Sequence, residues 1–270
     1  MSNVYFVRMR EMLDGYYDSY SDAFRLAELS GYPVIWLNEI DPASDNTYIL
    51  SPLNGSWNHG WQNPKARMIL LDLEWRLSSG GHTWDKNELV VPPGVAEVWT
   101  SDPWYAGIVG AKYVPLGSHP GLAEDTAPSA EHFDVAPLSC QSQDGGRQHM
   151  MDLLMKQGVS IAPNAWNPDR DAMLKNTTAM LHIHQWRKVR TIAPLRFAIA
   201  AAYGLPLISE QVEQRGIFDG VALFTSYDAM PEYVKTLTQR YPERLKEHGQ
   251  ALKELLCVQN SFKACVERAL

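Results

Sequence analysis

The chain has 270 residues, 45% of them apolar and 20% charged, with a formal net charge of −7 at pH 7. That is long enough for two domains of about 130 residues each and ordinary for a globular protein. No apolar run approaches the roughly 18 residues of a membrane span, and the three cysteines (Cys140, Cys257, Cys265) are odd in number and lack metal-type spacing, so reduced, buried or half-buried thiols are expected rather than a disulfide frame.

The opening MSNVYFVRMRE has neither a signal-type apolar core nor a basic presequence, so a cytoplasmic protein with no membrane partner is expected. Charge is uneven along the chain. Residues 1–110 hold 7 Lys and Arg against 14 Asp and Glu, and residues 111–270 hold 17 of each. An acidic first half argues against unspecific phosphate-backbone binding there, although a local patch can still act.

In chain order, Val4–Arg8 reads as a first strand. Ser19–Ser30 carries helical periodicity through Tyr20, Phe24, Leu26 and Ala27 and stops before Gly31, and Tyr32–Leu37 is the next strand. Thr47–Leu50, Met68–Leu73 and Val95–Thr100 follow as strands, separated by two long loops, Ser51–Ala66 and Ser78–Pro93. Loops of that length inside a compact domain are often functional. The chain changes character around Ala111–Gly117, and Gly121–His132 is loop-like, so the interdomain connection is placed there.

The second half alternates more regularly: strand Phe133–Leu138, helix Gly146–Gln157, strand Val159–Ala162, helix Pro168–Asn176, strand Ala179–Ile183, helix Pro194–Tyr203, strands Leu207–Ser209 and Val221–Phe224, and helix Ala229–Arg240. Such alternation predicts a doubly wound, Rossmann-like parallel sheet. Glu243–Leu270 reads as one long helical stretch with apolar Leu245, Leu252, Leu255, Leu256, Phe262 and Val266, expected to brace the domains. The expected division is residues 1–115, 116–240 and a bracing helix over 241–270.

The segment Ala179–Glu210 is the most informative. An apolar strand runs into a loop carrying Arg187, Lys188 and Arg190, Pro194 opens an alanine-rich helix, Gly204 and Pro206 close it, and LISE resumes as a strand. This βαβ unit presents positive charge beside a helix N-terminus, an arrangement suited to phosphate. Arg196, on the first turn, can reach a diphosphate there or pair with a surface acid. Arg147 follows Gly145 and Gly146 at another helix start, where glycines admit a close ligand.

His182 and His184 alternate at the strand's end and are expected on opposite sides of the sheet; no third metal ligand is evident, and His184, nearer the loop, is the candidate ligand contact. Glu210 ends its strand at the carboxyl edge, where an acid commonly bonds ribose hydroxyls or acts as a surface cap. In the first half, Asp72 and Glu74 share one face of a strand end and could supply a general base, or equally a helix cap and a salt bridge. The loop holding Asn54, Trp57, Asn58, His59, Trp61, Gln62 and Asn63 combines aromatics with amides, which suits stacking on a sugar or an extruded base. Asp169-Arg170-Asp171 reads as a helix cap with dipole compensation rather than as a metal-binding DxD.

Taken in order, LLDLEWR (Leu70–Arg76), VWTSDPWY (Val98–Tyr105), KYVPLG (Lys112–Gly117), FDVAPLS (Phe133–Ser139), GGR (Gly145–Arg147), LHIH (Leu181–His184), APLRFAIAAAYGLPLISE and FTSYDAM resemble the small nucleotide-sugar glycosyltransferases of GT-B type known from phages and bacteria. The resemblance covers roughly Met68 to Leu237. It implies an α/β, GT-B-like fold, with two Rossmann-like doubly wound domains facing a cleft and a C-terminal helix bracing both. The donor nucleotide would lie in the C-terminal domain and the acceptor in the N-terminal one.

It further implies a transferase moving a sugar from a nucleoside diphosphate, such as a UDP- or GDP-sugar, to a hydroxyl acceptor. Candidate donor contacts are Arg147, His184, Arg187, Arg190, Arg196 and Glu210, and candidate acceptor contacts are Asn54, Trp57, His59 and Trp61. Candidate bases are Glu74, Asp72 and Asp18, the last in the DGYYDSYSD segment with Asp14. No metal or other cofactor is expected to be required.

One candidate acceptor is DNA carrying 5-hydroxymethylpyrimidine; a glycan, a protein side chain or a small metabolite stands beside it. A non-catalytic nucleotide-sugar-binding module is the alternative from another class. The expected oligomeric state is a monomer or weak homodimer, in a bacterial or phage-infected cytoplasm. The chain departs from the retaining GT-B pattern in one place: the two glutamates that stand ahead of GLP are Thr191 and Ile199 here.

Overall fold

The computed structural model describes residues 3–8, 18–51, 61–73, 91–123, 126–137, 146–163, 167–184 and 191–270. It divides into two compact α/β units. The N-terminal unit comprises Met1–Leu116 with Ala193–Leu195 and Phe262–Leu270, and the C-terminal unit comprises Gly117–Ile192 and Arg196–Ser261.

The N-terminal unit holds strands β1 (Val4–Arg8), β2 (Val34–Trp36), β3 (Thr47–Leu50), β4 (Arg67–Asp72), β5 (Val95–Thr100) and β6 (Lys112–Tyr113), with helices α1 (Asp18–Leu29) and α2 (Pro103–Val109). Its sheet is parallel throughout, in the order β2-β1-β3-β4-β5-β6. The chain crosses to one side of β1 and then to the other, so the strand order reverses between β1 and β3. Val7, Tyr48, Leu50, Met68 and Leu70, near-continuous apolar runs as buried parallel strands require, form the core.

Helix α2 went unforeseen by periodicity, yet its ends are conventional. Asp102 caps it by accepting the Tyr105 N–H at 2.7 Å, Pro103 occupies the first turn, and Gly110 closes it in the left-handed conformation.

The C-terminal unit holds β7 (Phe133–Pro137), α3 (Gly146–Lys156), α4 (Asn167–Leu174), β8 (Thr177–His182), α5 (Pro194–Tyr203), β9 (Leu207–Glu210), β10 (Leu223–Thr225), α6 (Met230–Arg240) and α7 (Pro242–Lys253). The sheet runs β10-β9-β8-β7, all parallel. The predicted strand Val159–Ala162 is reduced to a single parallel bridge, Val135 to Ile161, on the far side of β7. With that bridge counted, the strand order again reverses, here between β7 and β8. Val135, Ala179, Leu181, Ile183, Ile208 and Leu223 pack with Met150 and Leu154 of α3, Val234 and Leu237 of α6 and Leu245 of α7.

The tail is not one helix. After α7 the backbone widens to a π-turn over Glu254–Gln259, Asn260 leaves helical geometry (φ −124°, ψ 53°), and a separate helix α8 (Phe262–Ala269) follows. Apolar spacing predicted the helical character and missed the break, because the periodicity continues through it. α7 belongs to the C-terminal unit and α8 to the N-terminal unit. Within the latter, Phe262 packs on Phe6, and Arg67 and Lys112 donate to the Leu270 and Ala269 carbonyls at the end of α8. Among the described residues no helix is long and apolar enough to cross a membrane.

Candidate functional site

The carboxyl edge of the C-terminal sheet, beside the reversal between β7 and β8, is where doubly wound sheets bind ligands. Arg147 stands at the second position of α3, His182 and His184 at and just beyond the end of β8, Arg196 in the first turn of α5, and Glu210 at the end of β9. Arg147, His182, His184 and Glu210 are all buried.

One peptide group organises the edge. The Ile183 carbonyl accepts the Nε–H of Arg147 at 2.9 Å, and the next N–H, that of His184, donates to Oε2 of Glu210 at 2.8 Å. In a trans peptide these two atoms point in opposite directions, so a cation and an anion polarise the same bond from either side. The start of α3 is held a second time by Tyr227, beyond β10, whose hydroxyl donates to the Gly146 carbonyl at 2.6 Å.

His182 and His184 share a face, contrary to the expectation of opposite sides. Side chains in a strand alternate with period two, so positions two apart coincide; their rings meet edge to face with centroids 4.9 Å apart. Their protonation is readable from their partners. The Gln211 carbonyl can only accept, so His184 Nε2, at 3.1 Å, carries a proton. The single Ser209 hydroxyl proton goes to the Glu210 carbonyl at 2.8 Å, so His182 Nδ1, 3.0 Å from Ser209 Oγ, is the donor there.

The pKa of His182 lies well below the ordinary imidazole value. Burial is the first cause, followed by the positive field of Arg196, then His184, then Arg147. Both guanidiniums therefore act on one neutral imidazole. Two cations and one carboxylate gathered at a buried edge make it electropositive, a condition that favours an anion.

Thr191, which sequence reasoning singled out only as a replaced glutamate, is 2% exposed, and its hydroxyl has no hydrogen-bond partner among the described residues. Ile199, at the other replaced position, is a core residue of α5. Arg187, Lys188 and Arg190 lie outside the described residues.

In the N-terminal unit, Asp72 ends β4 opposite Thr100 of β5, is 1% exposed, and accepts a long hydrogen bond from the Tyr105 hydroxyl at 3.4 Å. Asp18 is the first residue of α1; its side chain, and all of Asp14, Glu74, Asn54, Trp57, Asn58 and His59, lie outside the described residues. Trp61 packs against the unit's core, with its N–H bonded to the Pro93 carbonyl at 2.9 Å. Its own carbonyl abuts Gly94, where a methyl group would overlap it and where φ is +87°.

Asp169 sits in the first turn of α4, in keeping with dipole compensation, whereas Asp171 is buried and forms an ion pair with the equally buried Arg170 at 3.0 Å. Among the described residues no group of three His, Cys, Asp or Glu side chains gathers as a metal would need.

The sequence matches no protein-family profile and no curated protein. Among solved structures, a chain of the GtfA/B complex aligns at 11% identity over 84% of this chain and 57% of its own length, with a TM-score of 0.45; the present chain thus spans little more than half of it. MurG of Acinetobacter baumannii aligns at 9% identity over 95% of this chain and 96% of its own, again with a TM-score of 0.45. The C-terminus of E. coli RcsC, containing a linker region and phosphoreceiver domain, aligns at 13% identity over 91% and 94% of the two chains with a TM-score of 0.28.

Proposed function

We propose that the carboxyl edge of the C-terminal sheet binds the diphosphate of a nucleotide sugar, and that the chain is a glycosyltransferase of GT-B type acting on a hydroxyl acceptor. The observation that carries the reading is the placing of Arg147 and Arg196 in the first turns of α3 and α5 at a strand-order reversal, with Arg147 anchored on the Ile183 carbonyl at the end of β8. Arginine forks suit diphosphate oxygens, and a site that neutralises the leaving diphosphate stabilises charge as the glycosidic bond breaks. The buried Thr191 hydroxyl supports a polar ligand in the same segment.

Within this reading Arg147, Arg196 and the basic Arg187, Lys188 and Arg190 hold the diphosphate, and His184 and Glu210 set the strand ends that contact the nucleoside or sugar. Asp72, Glu74 and Asp18 are the proposed candidates for the base that takes the acceptor proton. Asn54, Trp57, His59 and Trp61 are the proposed acceptor contacts, with hydroxymethylated DNA one acceptor to be assayed. Incubation with UDP- and GDP-sugars, with and without acceptors, tests the activity: release of nucleoside diphosphate supports it, and donors left intact with every acceptor class overturn it.

The replacement of both retaining-type glutamates, one of them by the core residue Ile199, favours a second reading. In it the same edge binds a nucleotide sugar without turning it over. Donor binding with no release of nucleoside diphosphate under any acceptor selects that reading.

A further inference from the structure

His182 ends β8 at the same carboxyl edge and is buried there. It occupies the last position of β8, directly opposite Ser209 of β9 in the sheet register. Because the Ser209 hydroxyl is committed to the Glu210 carbonyl, Nδ1–H of His182 is the donor to Ser209, and Nε2 is the nitrogen left with a lone pair. Among the described residues Nε2 makes no hydrogen bond. A proton can therefore be added at Nε2 without breaking any bond in this network, since an imidazolium keeps Nδ1 as a donor.

We propose that His182 is a third cationic ligand for the diphosphate, taking one proton from solvent at Nε2 when the anion binds and donating it to a phosphate oxygen. The proposal rests on the reading of this edge as the diphosphate site.

The charged groups facing the ring set the direction. Arg147 from α3, Arg196 from α5 and the imidazole of His184 disfavour the proton, while the Glu210 carboxylate from β9 is engaged by the His184 N–H. Burial and the guanidiniums favour the neutral form of His182. A diphosphate diester carries about two negative charges, so its arrival opposes the field of the guanidiniums at Nε2 and raises the pKa of the ring. Between the free and bound pKa values, binding takes up a proton and tightens as pH falls, by up to about tenfold per pH unit.

UDP-glucose, or GDP-mannose where the first does not bind, is the suitable probe, because both its phosphates are esterified and neither titrates near neutrality. Calorimetry in two buffers of different ionisation enthalpy reads the protons exchanged, for the wild type and for His182→Asn. The expected result is a proton uptake in the wild type, approaching one per ligand within the window, that the variant lacks. Histidine-selective carbon-13 NMR of the unmodified protein gives a second readout independent of the variant's folding. In it the His182 titration moves to higher pH when the probe is bound. Binding with equal proton uptake in both proteins and an unmoved His182 titration overturns this inference and leaves the diphosphate site standing; failure of both probes to bind overturns both.

Discussion

Arg147 and Glu210 grip one peptide group from opposite sides, the guanidinium on the Ile183 carbonyl and the carboxylate on the His184 N–H. They come from α3 and β9, and the peptide they share carries β8 out of the sheet toward the basic segment. The arrangement fixes where β8 ends without asking the side chains of β8 to do so. It also anchors Arg147, whose Nε is committed to the backbone.

Removing the acid should expose this coupling. Glu210→Ala leaves the His184 N–H buried without its acceptor and is expected to destabilise the C-terminal unit by about 1–3 kcal/mol, whereas Glu210→Gln, which keeps an oxygen acceptor, loses about 1 kcal/mol or less. Amide exchange at His184 should quicken markedly in the alanine variant and little in the glutamine variant. Equal exchange in both would show that the bond does not hold the peptide.

Helix α7 approaches the turn between α5 and β9 so closely that Gly249 has no room for a methyl group. A Cβ there would overlap the Gly204 carbonyl oxygen and meet the Pro206 nitrogen at 2.9 Å. Alanine favours a helix interior over glycine by about 1 kcal/mol, and overpacking against backbone typically costs about 1–3 kcal/mol. Gly249→Ala should therefore lower the melting temperature, and a rise would place α7 farther from the turn than described.

Tyr32, in the N-terminal unit, has its hydroxyl pKa pushed up to about 12, first by burial and then by the Glu267 carboxylate of α8. A folded-state pKa above the unfolded value means that stability is intact below about pH 10 and declines as pH rises from there toward 12, because only the unfolded chain ionises in that window. Tyr32→Phe should flatten this alkaline loss of stability in a melting series. A variant that melts with the same alkaline dependence as the wild type would assign the loss to other groups.

The end of α8 is held by cations that complement its carbonyls. Arg67 bridges the Leu270 carbonyl and Glu97, at 2.9 and 2.6 Å, and Lys112 reaches the Ala269 carbonyl. Arg67→Ala is expected to cost about 1 kcal/mol and to raise amide exchange across the last turn of α8. Unchanged exchange there would mean that Arg67 does not hold the end of the helix.

Much of this architecture is legible in local sequence. Thr47–Leu50, Val95–Thr100 and Pro194–Tyr203 are bounded by side-chain patterns and by Pro and Gly signals that act within a few residues, and the structure gives them those bounds. The signals for α2 are its caps, Asp102, Pro103 and Gly110, rather than any apolar periodicity. The break at Asn260 is not legible, since apolar spacing carries across it.

At the candidate site, the places of Arg147, Arg196, His184 and Glu210 at the carboxyl edge follow from the strand and helix ends legible in the sequence. The bond from Arg147 to Ile183 spans 36 positions and has no local signal. The committed hydroxyl of Ser209, which fixes the tautomer of His182, is visible only once β8 and β9 are side by side.

The most direct test of the central claim is a calorimetric titration of UDP-glucose and GDP-mannose into the wild type and Arg196→Ala. The account predicts that at least one binds the wild type, and that the variant, having lost charge-assisted bonds of about 1.5–3 kcal/mol, binds it at least tenfold more weakly. Equal affinity in the two proteins, or no binding of either nucleotide sugar, would contradict it.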